Sequence, residues 1–113
     1  MSSVYGYSPD NHFTCPAEAL AGLLGKKWVP SIIEELYAHE LRFGELQRHL
    51  GSTPKMVKQQ LALLEENGIV ENQRMTYNNT IESTYYLTEK GKSLFFIVKQ
   101  MKDWGNSHLQ CSN

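Results

Sequence analysis

Residues 42–70 read RFGELQRHLGSTPKMVKQQLALLEENGIV, and this segment is the most informative part of the chain. Its apolar residues recur every three or four positions on both sides of Gly51, which predicts two short amphipathic helices. Glycine suits the end of the first helix, because a left-handed backbone conformation costs it least. Ser52 or Thr53 can cap the second helix, and Pro54 suits its first position. Two helices joined by such a tight turn form a helix-turn-helix, whose second helix can enter the DNA major groove.

The rest of the chain supplies the elements around this motif. A short helix begins at Pro16, and a second contains Trp28 and further apolar residues at helical spacing. Residues 69–77 and 81–87 are rich in β-branched and aromatic residues and flank an Asn-Asn-Thr turn, which predicts a β-hairpin. Thr88 can cap a long last helix. The expected fold is α+β, mostly α: a winged helix-turn-helix with additional N- and C-terminal helices.

Length and composition fit a single domain over residues 1–113, with loose ends expected at 1–13 and 106–113. No apolar run approaches the roughly 18 residues of a membrane helix, and the N-terminus lacks the basic start and apolar core of a secretory signal. Two cysteines, Cys15 and Cys111, are too few for a disulfide framework. We therefore expect a cytoplasmic protein that makes no membrane contact.

The net charge of −1 is unusual for a DNA-binding protein, because affinity for the phosphate backbone comes from Lys and Arg. The charge is unevenly distributed, however, with a group of basic residues in or beside the motif and several acidic residues diluting them. One copy should therefore bind DNA weakly, and a dimer would double the contacts.

The outer face of the second motif helix carries the main candidates for DNA contact. Because the apolar stripe of this helix would face the core, Lys55, Lys58 and Gln59 must point away from it. Lysine can contact phosphate or guanine and Gln59 can pair with adenine, although a merely solvated helix face is the alternative. Arg42 and Arg48 can clamp phosphates or pair with a nearby Glu. The remaining candidates, which are capping or wing residues, are Ser52, Thr53, Arg74, Tyr77, Asn78 and Asn79.

Several short segments carry a family pattern in their order and spacing. They are Cys15-Pro16, Gly25-Lys26-Lys27-Trp28, Arg42-Phe43-x-Glu45-Leu46, Leu64-Glu65-Glu66-Asn67-Gly68-Ile69-Val70, Tyr85-x-Leu87-Thr88-x-x-Gly91 and Trp104. Together they resemble the HxlR family of winged-helix transcriptional regulators, relatives of the MarR group. The chain departs from that family at Lys26, where members usually have a second glycine, and at residues 80–85, where members carry a proline-containing wing tip.

The resemblance implies a homodimer that binds double-stranded DNA at a palindromic operator. Each subunit would offer one recognition helix and one wing, while the first and last helices of both subunits pack together. The apolar residues implied for this interface are Leu20, Leu23, Leu94, Phe95, Val98, Met101 and Trp104.

Cys15 is the candidate chemical switch. It directly precedes the first helix, where free N–H groups and the helix dipole favour a reactive thiolate. Several members of the family resembled here sense electrophiles through a cysteine in this position. Oxidation or electrophile attack at Cys15 would then change operator binding, and an inert half-buried thiol is the alternative.

Catalysis and metal binding find little support in the sequence. The four histidines show no i, i+4 pairing, no serine has a glycine-elbow context, and no Gly-rich phosphate loop follows a strand. We therefore expect no enzymatic activity, no metal and no cofactor. The main alternative to a DNA-binding regulator is a winged-helix module that serves dimerisation or protein interaction without binding DNA.

Overall fold

The computed structural model describes residues 3–111, which contain five helices and three strands. In chain order the elements are α1 (Pro16–Leu24), α2 (Val29–Ala38), β1 (Leu41–Arg42), α3 (Phe43–Leu50), α4 (Pro54–Glu66), β2 (Val70–Tyr77), β3 (Thr80–Leu87) and α5 (Glu89–His108). The strands pair antiparallel in the order β1-β3-β2. Because α3 and α4 form the helix-turn-helix and β2 and β3 form the wing, the predicted fold is confirmed.

Local signals build the turn between α3 and α4. Gly51 has a φ of 66°, the left-handed conformation that glycine tolerates without a steric penalty. The Thr53 hydroxyl then accepts a hydrogen bond from the Met56 N–H at 3.2 Å, which caps α4. The side-chain amide of Gln47 donates to the Ser52 carbonyl at 3.1 Å and so joins α3 to the turn. The predicted stop and cap are therefore confirmed.

The wing is a regular hairpin closed by a two-residue turn. Asn78 and Asn79 have positive φ values of 47° and 66°, the type I′ geometry whose twist matches that of the flanking strands. The strands pair up to the turn, where Tyr77 lies opposite Thr80. The sequence predicts Thr80 in the turn, but the structure places it in β3, because the two asparagines close the turn without a third residue.

The core lies between the helices and the inner face of the sheet. Eight side chains are almost completely buried, namely Val29, Ile32, Ile33, Leu46, Val57, Leu61, Leu64 and Val70. Burial of one such side chain stabilises the fold by about 1.5–3 kcal/mol relative to its exposure. Three of the eight lie on α4, so this helix is anchored through one face.

Trp28 departs from the expected pattern. The sequence predicts it on the apolar stripe of the second helix, but it precedes α2 as the N-cap and has a left-handed φ of 74°. A non-glycine residue in this region is strained. Its half-buried ring still packs against the core, so the predicted packing role is retained.

The sequence predicts loose chain ends at residues 1–13 and 106–113. Residues 5–13 form an ordered loop, which we call the N-terminal strap, and α5 continues to His108. The first two and last two residues lie outside the described range.

The N-terminal strap is held at its own base and against α4. Tyr5 and Phe13 exchange two backbone hydrogen bonds of 2.7 Å each. At the end of α4, the side-chain amide of Asn67 donates to the Tyr7 carbonyl at 2.9 Å. The strap therefore contacts the same helix that carries the candidate DNA-binding face.

Two glycines of α5 provide a matched test of packing. A Cβ at Gly91 would lie 2.2 Å from the Ile69 carbonyl oxygen, whereas a Cβ at Gly105 would meet nothing nearer than 4.0 Å. We expect Gly91→Ala to lower the free energy of unfolding by about 1–3 kcal/mol, because backbone must shift. Gly105→Ala should instead raise it by up to about 1 kcal/mol, since alanine favours the helix. Urea unfolding at one protein concentration measures both, and equal stability of the two variants would contradict the close approach.

Candidate nucleic-acid interface

The outer face of α4 presents the three candidates for base contact. Lys55, Lys58 and Gln59 are all exposed. Within residues 3–111 neither lysine takes part in an ion pair, so both amines are available to an anionic partner. Ala62, one turn beyond Lys58, is also exposed, and its small side chain leaves the middle of this face open to a close approach.

The start of α4 offers a backbone donor beside these side chains. Thr53 uses its hydroxyl oxygen for the cap, and the half-buried Ser52 belongs to the turn, so both shape the start of the helix. The N–H of Lys55 has no acceptor among the described residues. A free N–H at the positive end of a helix dipole is suited to binding a phosphate oxygen.

The arginines at the start and in the last turn of α3 differ in their pairing. Arg42, the N-cap residue of α3, is exposed, and its Nη2 lies 3.1 Å from Oε2 of Glu82 on β3. Its backbone N–H also donates to the Glu45 carboxylate at 3.0 Å. Arg48 is exposed and makes no ion pair within the described range. Of the two, Arg48 is therefore the freer cation, and Arg42 also ties α3 to the wing.

The wing candidates lie towards its tip. Alternation along β2 puts Arg74 on the same face as the buried Val70, but beyond the edge of the core, where Arg74 is exposed. Tyr77 is 52% exposed, and Asn78 and Asn79 form the exposed turn. The structure thus brings these four candidates together on the distal half of the hairpin.

Two tyrosines near the base of the wing stay uncharged at neutral pH. The Tyr86 hydroxyl donates to the Glu71 carboxylate, and this hydrogen bond raises the pKa of Tyr86 above its ordinary value. Burial raises the pKa of Tyr85. Because neither phenol ionises near neutral pH, the charge of this surface is set by its Lys, Arg, Asp and Glu residues.

Sequence reasoning missed two polar residues of this region. Glu82, the partner of Arg42, lies 40 positions further along the chain, and no local pattern links the two residues. Gln60 is buried on the inner face of α4 and donates to the Lys27 carbonyl at 2.9 Å. Its spacing of three from Val57 indicates the inner face, which is a signal that could have identified it.

The candidate interface residues on α1 and α5 fall into two groups. Leu23, Leu94 and Val98 are buried in the core of the single chain, which differs from their expected place in a subunit interface. Phe95 packs in the chain as well, because its ring stacks on Tyr37 with centroids 3.7 Å apart. The other three remain accessible: Leu20 is half-buried, and Met101 and Trp104 are 49% and 58% exposed.

Two more exposed apolar residues of α5 adjoin this surface. Phe96 and Ile97 on α5 are 54% and 43% exposed. Ile97 also borders an apolar cleft of about 480 Å³ between α1, α5 and the N-terminal strap, together with Leu20 and Tyr5. The accessible apolar surface thus continues from the middle of α5 into this cleft.

The two cysteines lie in different surroundings. Cys15 is half-buried at the N-cap of α1, and among the described residues its side chain makes no capping hydrogen bond. Cys111 is exposed beyond the end of α5. The Cys15 sulfur therefore does not act as a hydrogen-bonding cap of α1.

Residues 3–111 contain no cluster of three His, Cys, Asp or Glu side chains arranged to hold a metal ion. None of the helices in that range combines the length and apolar character needed to cross a membrane.

The proteins that this chain resembles in sequence are helix-turn-helix transcriptional regulators. A sequence model of the HxlR-like helix-turn-helix family matches residues 23–113. The HTH-type transcriptional regulator YybR of Bacillus subtilis is 38% identical over 96 residues, which cover 83% of this chain and 75% of YybR. The HTH-type transcriptional regulator YodB of the same organism is 35% identical over 98 residues, which cover 85% of this chain and 87% of YodB.

Solved structures of two regulators match the fold. The reduced form of YodB superposes with a TM-score of 0.77 at 33% identity and covers 88% of this chain and 98% of its own. The reduced form of the redox regulator HypR superposes with a TM-score of 0.78 at 34% identity and covers 85% of this chain and 95% of its own. Both proteins have also been solved in other chemical states, YodB bound to quinone and HypR oxidised.

Proposed function

Because the chain belongs to the HxlR-like helix-turn-helix family of transcriptional regulators, we propose that it binds a specific palindromic DNA operator as a homodimer. The observation that carries this proposal is the division of α4 into a buried face and an exposed face with Lys55, Lys58 and Gln59. In a helix-turn-helix the exposed face of the second helix enters the major groove. Arg48 and the wing would then contact the flanking backbone.

The small net charge supports a dimer as the form that binds DNA. At −1 per chain, the general electrostatic attraction to DNA is weak, so affinity must come from locally placed cations. Two subunits double these contacts on a palindrome, because the two-fold symmetry of the protein matches that of the site.

The exposed apolar surface of α5 supports the proposal that a second copy of the chain covers it. Ile97, Met101 and Trp104 are spaced three or four residues apart and project on one side of the helix. Contiguous exposed apolar side chains of this kind mark interaction surfaces. The adjoining cleft beside α1 offers a concave partner for side chains of another subunit.

The first prediction from this proposal concerns base recognition. Gln59→Ala should weaken binding to the operator selected by the purified protein by about 1–3 kcal/mol and relax the preference at the bases it contacts. Lys58→Ala should do the same if Lys58 reads a base, or weaken all duplexes evenly and reduce the salt dependence by about one charge if it contacts phosphate.

Quantitative mobility-shift titrations at several salt concentrations distinguish these outcomes. The exposed Gln110, outside the candidate interface, provides the matched control Gln110→Ala, which should bind like the parent. Unchanged operator affinity in the Lys58→Ala, Gln59→Ala double variant would place the DNA on another face. Absence of binding to every duplex by the parent would favour the protein-interaction module instead.

The second prediction concerns dimerisation. Trp104→Glu puts a charge into the exposed apolar stripe of α5 and should convert the dimer into a monomer, since a buried unpaired charge is costly. Asn106→Glu adds the same charge about half a turn away and should leave the dimer intact. Sedimentation velocity at micromolar concentration measures both variants. A parent protein that sediments as a monomer yet binds a palindrome would refute this part of the proposal.

The proposed regulation is a change in operator binding when Cys15 is oxidised or attacked by an electrophile. Cys15 lies at the start of α1, next to the surface assigned to the dimer interface, and its sulfur makes no capping bond in the described chain. The similarity to YodB and HypR, which have been solved in quinone-bound and oxidised forms, supports this assignment. A bulky or charged group on the sulfur would shift α1 and thereby the spacing of the two recognition helices.

The third prediction tests this switch. Mild treatment with a quinone or peroxide should lower or raise operator affinity in the parent and in Cys111→Ser, and leave Cys15→Ser unaffected. The measurement is operator titration before and after treatment, with mass spectrometry to record which thiol has reacted. An equal response in Cys15→Ser and in the parent would exclude Cys15 as the sensor, as would no response in the parent.

A further inference from the structure

Gln60 is the exception on the buried face of α4. It is 9% exposed, and it shares that face with the apolar side chains Val57, Leu61 and Leu64. A leucine or methionine would fill the same space without the cost of removing an amide from water. A buried amide at such a position therefore indicates that its hydrogen bond has a role.

The hydrogen-bond partner of Gln60 outside α4 lies in the turn between α1 and α2. The side-chain amide donates to the Lys27 carbonyl at 2.9 Å, across 33 positions in sequence. Among residues 3–111, Gln60 is the one donor that reaches this carbonyl. Loss of the amide would thus leave a partly buried acceptor without a hydrogen bond.

The turn that presents this carbonyl has local features of its own. Trp28 has a left-handed φ of 74°, and its ring packs against the core. The amine of Lys27 lies 5.5 Å from the centre of the same ring. The Lys27 carbonyl therefore has a defined position, and a hydrogen bond to it can orient α4.

We propose that the Gln60–Lys27 hydrogen bond fixes the rotation of α4 about its own axis and so determines which side chains face the DNA bases. This inference rests on the proposed DNA-binding function. Apolar side chains can repack at modest cost when a helix rotates, whereas a hydrogen bond weakens steeply with misalignment. The aliphatic stripe holds α4 in the core, and Gln60 selects one rotation of it.

The size of the effect follows from helix geometry. A rotation of about 20° moves atoms on the helix surface, which lie about 5–6 Å from the axis, by roughly 2 Å. A displacement of that size breaks a hydrogen bond between Gln59 and a base edge. The long Lys55 and Lys58 side chains can still reach phosphates, so binding without sequence preference should survive.

The test is the variant Gln60→Met, which keeps the length of the side chain and removes the donor. Its affinity is measured at fixed salt for the duplex selected by the parent and for a scrambled duplex of equal length. We expect operator affinity to fall about tenfold, while affinity for the scrambled duplex changes less than about twofold. Ile33→Val, a change in the α2 core, provides the control for a general loss of stability and should leave the ratio of the two affinities unchanged.

A second measurement does not depend on the variant. In NMR spectra of the parent, the side-chain amide protons of Gln60 should exchange with solvent more slowly than those of the exposed Gln59. Equal exchange rates for the Gln59 and Gln60 amides would overturn the role of Gln60. So would a Gln60→Met variant in which the ratio of operator affinity to scrambled-duplex affinity is unchanged, including one in which both affinities fall equally. A parent with no preference between the duplexes refutes the DNA-binding proposal itself, and with it the role of Gln60, before any variant is compared.

Discussion

The inner stripe of α4 packs into the core that α2, α3 and β2 share, and its three aliphatic side chains are almost fully buried. At about 1.5–3 kcal/mol each, their burial is comparable with the net stability of a small domain. A helix held through one face necessarily presents its other face to solvent. The contact that stabilises the fold is therefore also the one that exposes Lys55, Lys58 and Gln59.

The positive charge that a binding partner can reach depends on which basic residues are already paired with acidic ones. Arg42 is engaged with Glu82, and the lysines of α5 that form ion pairs are Lys92, Lys99 and Lys102. The cations on α4 and at Arg48 have no such partner in the described chain. Because paired charges largely cancel at a distance, the unpaired Lys55, Lys58 and Arg48 remain available to an anionic partner despite the net charge of −1.

The last helix serves two surfaces along its length. Its N-terminal half contributes Leu94 and Val98 to the core and Phe95 to a stacked pair with Tyr37, whereas Met101 and Trp104 extend beyond the core into solvent. The same amphipathic stripe therefore begins as an intrachain contact and continues as an accessible one. A second subunit that covers this continuation would add to the hydrophobic core of each chain.

Signals between neighbouring residues were sufficient to predict the left-handed stop at Gly51, a hydroxyl cap at Ser52 or Thr53, a turn at Asn78 and Asn79, and the winged helix-turn-helix that these signals delimit. Such signals act within a few residues, so they can be read without knowing the fold. The folded chain was needed to show that Arg42 pairs with Glu82, that Gln60 donates to the Lys27 carbonyl, and that Leu23, Leu94 and Val98 lie in the core of one chain. These outcomes depend on contacts between residues far apart in sequence, and helical periodicity identifies an apolar face without identifying what covers it.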